Sequence, residues 1–219
     1  MRSVARALFA SFWLVGLSAC APVMLGRTPT PAAPGVTETS LSLGYPFGLT
    51  ELPVCDFCEY VGPAYWPLPL PITLHVAYGR TEALETNVGL MLLPTPSALG
   101  VGVRYGAKER FQKAPLELAF DYGGALYLTN VAADLGVLGS VPLGDAELYG
   151  ALRGFGSLSW VGQPGAAAAL TVGGAVPLAE GNRVLLELTL LANGYNGVGD
   201  QEGVQPVGFS LVPAIGFIF

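Results

Sequence analysis

The sequence predicts an all-β protein, a closed antiparallel up-and-down transmembrane β-barrel of about ten strands, with eight to twelve as the range. Three observations predict it. The chain has 219 residues, of which 52% are hydrophobic and only 12% charged, against about 25% charged in an ordinary soluble domain. Beyond the first twenty residues no apolar run approaches the roughly 18 positions a transmembrane helix needs, and 30 Gly and 18 Pro disfavour long helices. Strand-like segments of alternating character recur along the chain, separated by turn residues. A chain this apolar without a spanning helix is a very apolar soluble β-domain or a closed barrel in lipid, the one sheet form that leaves no unpaired edge there.

The leader sets the compartment. "MRSVARALFASFWLVGLSAC" carries Arg2 and Arg6, an apolar core from Ala7 to Leu17, then small residues and Cys20. That is a secretory signal over residues 1–19, too short for a stable span. Leu17-Ser18-Ala19-Cys20 resembles a bacterial lipobox. The resemblance implies cleavage before Cys20 and lipidation of its sulfur and new amino group. It also implies that Ala21, where an Asp would favour inner-membrane retention, is compatible with an outer membrane. The formal net charge of −6, more negative once Arg2 and Arg6 are removed, disfavours nucleic acid as a partner. Residues 20–36 then read as a lipidated cysteine and a tether, because Pro22, Pro29, Pro31 and Pro34 favour an extended chain with no core of its own. The barrel domain is expected over 37–219.

The strands follow in order. In "TETSLSLGYPF", Leu41, Leu43, Tyr45 and Phe47 oppose Glu38, Ser40, Ser42 and Gly44. In "PITLHVAYG", Ile72, Leu74, Val76 and Tyr78 oppose Thr73, His75, Ala77 and Gly79. "LETNVGLML" sets Thr86, Val88, Leu90 and Leu92 against Glu85, Asn87, Gly89 and Met91, and "LGVGVRYG" sets Leu99, Val101, Val103 and Tyr105 against Gly100, Gly102, Arg104 and Gly106. In "PLELAFDYGGALYL", Leu116, Leu118, Phe120, Tyr122, Leu126 and Leu128 oppose Glu117, Ala119, Asp121, Gly123 and Ala125. "VAADLGVLGSVPL" alternates less cleanly, with Asp134 opposite Leu135 and Val137. "AELYGALRGFGSLSW" sets Leu148, Leu152, Leu158 and Trp160 against Glu147, Ala151, Arg153 and Ser157; "AAALTVGGAVPL" is weaker. "RVLLELTLLAN" sets Val184, Leu186, Leu188 and Leu190 against Arg183, Glu187, Thr189 and Asn193, and "FSLVPAIGFIF" is the tenth segment. "VPLGDAEL" (141–148) and "VPLAEGNRV" (176–184) both close a strand with Pro-Leu and open the next after a polar turn, as a repeated two-strand unit of a meander would.

Alternation does not say which face is outside. The polar face is Gly, Ala, Ser and Thr with about one charge per strand, too little for a solvated surface. An Arg facing lipid at mid-depth costs roughly 2–4 kcal/mol, whereas inward Arg and carboxylate pair. The apolar face is therefore expected against lipid and the charges in the lumen. His75, Arg104, Glu117, Asp121, Arg153 and Glu187 form the expected lumen network, with Arg104, Arg153, Glu117, Asp121 and Glu187 near strand centres. It reads as a selectivity lining or a salt-bridged plug; a barrel of about ten strands is nearer to filled than to open.

The terminal strand resembles the C-terminal signature of bacterial outer-membrane β-barrel proteins, through Phe219, Phe217, Ile215, Leu211 and Phe209 at alternate positions. Pro213 departs from it and is tolerable only where pairing is interrupted. The resemblance covers about 37–219 as architecture. It implies an outer-membrane location, contact with membrane lipid, and recognition of that ending by the barrel-insertion machinery.

Chemistry is sparse. Cys55-Asp56-Phe57-Cys58 lies in the long connection after the first segment. It reads as a disulfide staple, a metal contact or a redox pair; no histidine stands near it for a metal set, and the strand-to-helix context of a redox motif is missing. Phe57, Tyr60, Tyr65 and Trp66 suit an interfacial aromatic belt or a binding surface. His75 is the single histidine. A Ser-His-acid hydrolase would have to use it, but there is no G-x-S-x-G elbow, and a barrel protease would want the histidine at the outer rim with acids. The expected His75 is a lumen residue bonded to a carboxylate. No cofactor, metal or catalytic residue is expected. The sequence reading is an N-terminally lipidated outer-membrane barrel with a structural or narrow-channel role. The alternatives are a periplasm-facing lipoprotein whose barrel or sandwich binds an apolar ligand and, third, a barrel hydrolase.

Overall fold

A computed structural model describes residues 26–45, 47–48, 71–94, 99–113, 115–128, 130–160, 164–195 and 208–219. Most alternate residues of its long segments are small or polar, so each segment presents one face of bulky apolar side chains, and the segments form strands. In chain order they are β1 (Thr37–Gly44), β2 (Phe47–Gly48), β3 (Ile72–Gly79), β4 (Leu84–Pro94), β5 (Leu99–Gln112), β6 (Glu117–Tyr127), β7 (Asn130–Leu143), β8 (Ala146–Ser159), β9 (Pro164–Pro177), β10 (Arg183–Tyr195) and β11 (Gly208–Ile218). Each long strand pairs antiparallel with its sequence neighbours, and β1 also pairs with β11 from Ser40↔Ile218 to Gly44↔Ala214. The sheet is thereby closed. β2 is the resumption of β1, pairing with β11 at Ser210 and Leu211, so the wall is a 10-strand up-and-down barrel.

Pro213 explains the interruption between β1 and β2. The amide of Tyr45 donates to the Pro213 carbonyl at 2.9 Å, so the nitrogen of residue 213 faces the same seam and has no hydrogen to return. The β1–β11 register ends at Ala214 and resumes at Leu211. On its other side Pro213 lies opposite Leu188 in an unbroken β10 ladder. Further down, Phe219 and Thr39 exchange both backbone hydrogen bonds at 2.9 Å, which ties the last residue into the seam.

The two ends of the barrel differ. β3–β4, β5–β6, β7–β8 and β9–β10 are joined by short turns at one end, where β1 starts and β11 finishes. The two long connections, 49–71 and 196–207, belong to the other end. Both copies of the Val-Pro-Leu repeat are short-turn hairpins: Pro142 pairs with Glu147 across Gly144 (φ 63°), and Pro177 pairs with Arg183 across the 3-10 turn Ala179–Gly181. The weakly patterned seventh strand is regular, with burial alternating strictly from Asn130 to Gly139. Its inward side has Ala132, Asp134, Gly136 and Leu138, and its outward side Val131, Leu135 and Val137.

The distribution of side chains is inside-out relative to a soluble domain. Leu135, Leu152 and Leu186 are 60%, 62% and 56% exposed, while Arg104 and Asp121 are both 0% exposed. The outer wall is apolar around the whole circumference, from Val76 and Leu90 through Leu126, Leu152 and Leu170 to Ile215 and Phe217.

Candidate functional site: the charged lumen and its N-terminal arm

The centre of the lumen is an ionic cluster carried by four consecutive strands. Arg104 on β5 donates to Asp134 on β7 through Nε and Nη2 at 2.8 and 2.7 Å, to Asp121 on β6 through Nη2 at 3.2 Å, and to the side-chain Oδ1 of Asn87 on β4 through Nη1 at 2.7 Å. Arg153 on β8 lies 3.1 Å from Asp134 and 3.6 Å from Asp121. All four ionic side chains are at most 5% exposed. Inward glycines make their room. A side-chain carbon at Gly106 or Gly123 would collide with the Arg104 guanidinium, and one at Gly136 with the Arg153 stem. This is why the inward face alternates glycine with a few long side chains.

Lys108 joins the cluster from the same face of β5, at 3.0 Å from Glu85 on β4. Lys108, Glu85, Asn87 and Asp134 lie outside the expected six-residue network, although their parity places them on the faces of Arg104, Gly89 and Gly136. Glu187 on β10 accepts from the Tyr149 hydroxyl at 2.8 Å. Glu117 is not near a strand centre: it opens β6 at the short-turn rim, 3.7 Å from Arg110. His75 is 4% exposed and faces the lumen, but neither ring nitrogen has a hydrogen-bond partner among the described residues. The expected carboxylate bond is not made, because its cross-strand neighbours are Ser40 and Gly89 and the nearby acids are taken by guanidinium and ammonium groups. Ser42 Oγ and Asn87 Nδ2 beside it are also buried without a hydrogen-bond partner among the described residues.

The largest departure from the sequence expectation is the stretch before β1. The sequence reads residues 20–36 as an extended tether with no core of its own; residues 26–35 form an arm inside the barrel. Gly26 to Pro29, Pro31 and Ala32 are buried. Arg27 bridges Glu85 (3.0 Å) and Asp121. Gly26 N donates to Glu187 Oε1 at 3.0 Å and Ala32 N to Glu85 Oε2 at 2.9 Å. Lys108 Nζ donates to the carbonyls of Thr28 and Thr30 at 2.8 and 3.0 Å, and Thr30 Oγ1 to Glu117 at 2.6 Å. Pro34 bridges to Gly79, where a Cβ would overlap the Ala32 and Ala33 carbonyls. A proline-rich segment has no apolar face to bury, yet its backbone groups still need partners, and the lumen charges supply them. The sequence signal for this was Arg27, a lone cation in an otherwise uncharged stretch.

The rest of the lumen is filled without charge. Leu138, Tyr149, Ala151, Ala175, Leu185 and Ile218 pack together toward the short-turn end. Met91, Ala125, Tyr127 and Ala132 form one apolar group toward the long-connection end, and Phe155, Ala169 and Leu191 another. Phe209, Ile215, Phe217 and Phe219 of the terminal strand point outward and are 38–59% exposed, with Leu211 half-buried beside them. Trp160 is also outward, its indole donating to the Leu128 carbonyl at 2.9 Å. Cys20, Cys55 and Cys58, with Phe57, Tyr60, Tyr65 and Trp66, lie outside the described residues.

No protein-family model matches the chain, and no curated protein matches it. Among solved structures it is similar to outer-membrane expressed OmpT of Vibrio cholerae, at 12% identity over 81% of this chain and 77% of that one, with a TM-score of 0.38. It is similar to the N-terminal β-barrel domain of Pseudomonas aeruginosa OprF, at 11% identity over 83% and 97%, TM-score 0.33. It is similar to an anion-selective porin from Comamonas acidovorans, at 15% identity over 68% and 49%, TM-score 0.35. The chain spans 57% of the length of the trimeric form of the Vibrio protein. At TM-scores this low, location and role rest on this chain's own residues.

Proposed function

We propose that the protein is an outer-membrane β-barrel, lipidated at Cys20 after removal of residues 1–19, whose role is structural and non-enzymatic. The observation that carries the reading is the inside-out wall: Leu152 is 62% exposed while its neighbour Arg153 is 5% exposed. An outward apolar surface over the whole circumference is stable in lipid and aggregates in water. The same observation disfavours a soluble barrel with an apolar ligand inside, because charges and the arm take up that interior. In this reading Phe209, Leu211, Ile215, Phe217 and Phe219 meet lipid and serve as the ending that the insertion machinery reads. Cys55 and Cys58 form a staple in the long connection, which two free thiols found by mass spectrometry without reductant would rule out.

A narrow channel is the second reading. It is favoured by Ser42 Oγ, both His75 ring nitrogens and Asn87 Nδ2, which are buried without a hydrogen-bond partner among the described residues and which water would satisfy. Carbonate-washed membranes and planar bilayers test both readings. The structural barrel resists extraction, shifts in gel mobility on heating, and gives no conductance steps with the arm in place. Release by carbonate would reject the membrane reading, and regular open steps from the intact chain would put the channel first.

A further inference from the structure

The wall holds the arm without depending on it. Each wall group that grips the arm has a second partner on the wall. Glu85 keeps Lys108 at 3.0 Å, Asp121 keeps Arg104 and Arg153 at 3.2 and 3.6 Å, Glu187 keeps the Tyr149 hydroxyl at 2.8 Å, and Glu117 keeps Arg110 at 3.7 Å. Withdrawing the arm therefore strands none of these charges, whereas removing a wall residue leaves its partner buried and unpaired. Among the described residues, the arm's backbone bonds to the wall's backbone only at the rim, where Pro34, Gly35 and Val36 lie against Gly79. Gly35 is exposed there with φ 77°, and a side-chain carbon on it would touch nothing. The arm thus hangs from an open glycine pivot. A seat that is complete both with and without its occupant has the property of a binding site.

We propose that the seat is a binding site for extended peptides that carry an arginine followed by alternate prolines, and that the arm is its tethered, exchangeable occupant. The arm's own contacts give the ligand chemistry. Arg27 places a guanidinium between Glu85 and Asp121, a fork that suits two carboxylates better than the point charge of a lysine. Counting from the arginine, the amides one residue before and five after reach Glu187 and Glu85, and the carbonyls one and three after reach Lys108. Pro29 and Pro31 follow those two carbonyls. They bring no amide that would need an acceptor, and they hold Thr28 and Thr30 extended. A free peptide of this pattern therefore loses little conformational freedom on binding. Thr30 adds a hydroxyl bond to Glu117. The contacts also fix direction, with the C-terminal side of the peptide at the short-turn rim beside Gly79.

Peptide binding to the full chain tests this. The probe is Gly-Arg-Thr-Pro-Thr-Pro-Ala-Ala-Pro, the sequence of residues 26–34, carrying fluorescein at its C-terminal end. Anisotropy is read in detergent micelles, so the result does not depend on where the barrel resides in the cell. Two variants empty the seat: Arg27→Ala, and Arg27→Glu, which sets a carboxylate against Glu85 and Asp121. Both should keep the heat-dependent gel shift of a folded barrel; its loss in both would show that the wall needs the arm and would overturn the proposal. At least one should bind the probe saturably. That binding should be about tenfold or more tighter than to the intact chain, whose tethered arm competes at roughly millimolar effective concentration. A peptide with alanine for the arginine should bind about tenfold or more weaker. The reversed peptide, of equal charge and composition, should fail to compete at equal concentration. No saturable binding to either folded variant overturns the proposal. So does equal binding of the forward and reversed peptides, which would show an acidic lumen holding any cation. Equal binding to the intact chain would place the peptide elsewhere on the molecule and overturns it as well.

Discussion

Two sides of the lumen close the same narrow space in opposite ways. From β4 to β8 the inward face holds Glu85, Arg104, Lys108, Asp121, Asp134 and Arg153, all bonded to one another or to the arm. From β9 to β11 it holds Ala169, Thr171, Ala175, Leu185, Thr189 and Val212, with Glu187 the exception. Where the wall meets the arm, it must satisfy a backbone without secondary structure, and charges do so with strong directional bonds. Where the wall meets itself, Tyr149 and Leu185 fill the space, and a side-chain carbon at Gly173 would run into the Tyr149 ring. The difference teaches that the ionic layer is a seat for the arm as much as a property of the wall.

If that is right, the largest single loss follows from removing the hub of the charged side. Asp121 faces Arg27, Arg104 and Arg153 and is 0% exposed. Asp121→Ala leaves three guanidinium groups competing for Asp134 and Glu85, and breaking a buried pair costs about 3–5 kcal/mol. Denaturant unfolding of the barrel in lipid should show that drop. A loss below about 1 kcal/mol, the level of an exposed pair, would mean that the layer is wet and contributes little.

The wall itself is tested next. Leu152→Arg puts a cation on the lipid side at mid-strand and should impair insertion by roughly 2–4 kcal/mol. Arg153→Leu, one residue on, should insert and then lose stability or alter ion selectivity, because Asp134 keeps Arg104 but loses its second cation. Normal insertion of Leu152→Arg with failed insertion of Arg153→Leu would reverse the two faces.

The arm should matter less for stability than for closure. Arg27→Ala leaves Glu85 with Lys108 and Asp121 with Arg104 and Arg153, so the cost should fall short of the full buried-pair figure, at about 1–2 kcal/mol. The same variant should raise the frequency of conductance steps in bilayers. A silent variant with unchanged stability would show that the backbone bonds of Gly26, Thr28, Thr30 and Ala32 hold the arm unaided.

How much of this was legible in the sequence follows from what period two can carry. It sorted Leu152 from Arg153 and Leu186 from Glu187, because adjacent residues on a strand face opposite ways, and it marked Pro213 as a break in pairing. It could not rank residues within a face, so Lys108, Glu85 and Asp134 were passed over although each has the parity of a lumen residue. Apolar residues at inward positions, such as Tyr127, Tyr149, Leu185 and Leu191, were invisible to a rule that sends apolar side chains outward. The arm was illegible for a deeper reason. Its seat is made largely by main-chain groups, the amides of Gly26 and Ala32 and the carbonyls of Thr28 and Thr30, and every residue but proline has both. Arg27 alone marked it, and without the seam and the register nothing says that a residue before the first strand lies opposite Asp121.

The smallest expected effect is on the uncharged side, and it is where the comparison is sharpest. Thr171 on β9 and Thr189 on β10 lie directly opposite each other, with their hydroxyls 2.8 Å apart and both side chains buried. This pair is neutral, and a threonine and a valine have nearly the same shape. Changing one partner, as in Thr171→Val, strands the other hydroxyl and should cost about 1–2 kcal/mol if it finds no water. Changing both removes the stranded group together with the bond, so Thr171→Val with Thr189→Val should fall within about 0.5 kcal/mol of the native chain, and the cycle should show coupling of that sign. No such rescue is available at Asp121, whose three cations cannot be replaced together without unseating the arm. Unfolding midpoints for the two single variants and the double variant decide the matter. A double variant as damaged as the sum of its singles would mean that the hydroxyls serve a polar group beyond each other, and the quiet side of the lumen would then be wet as well.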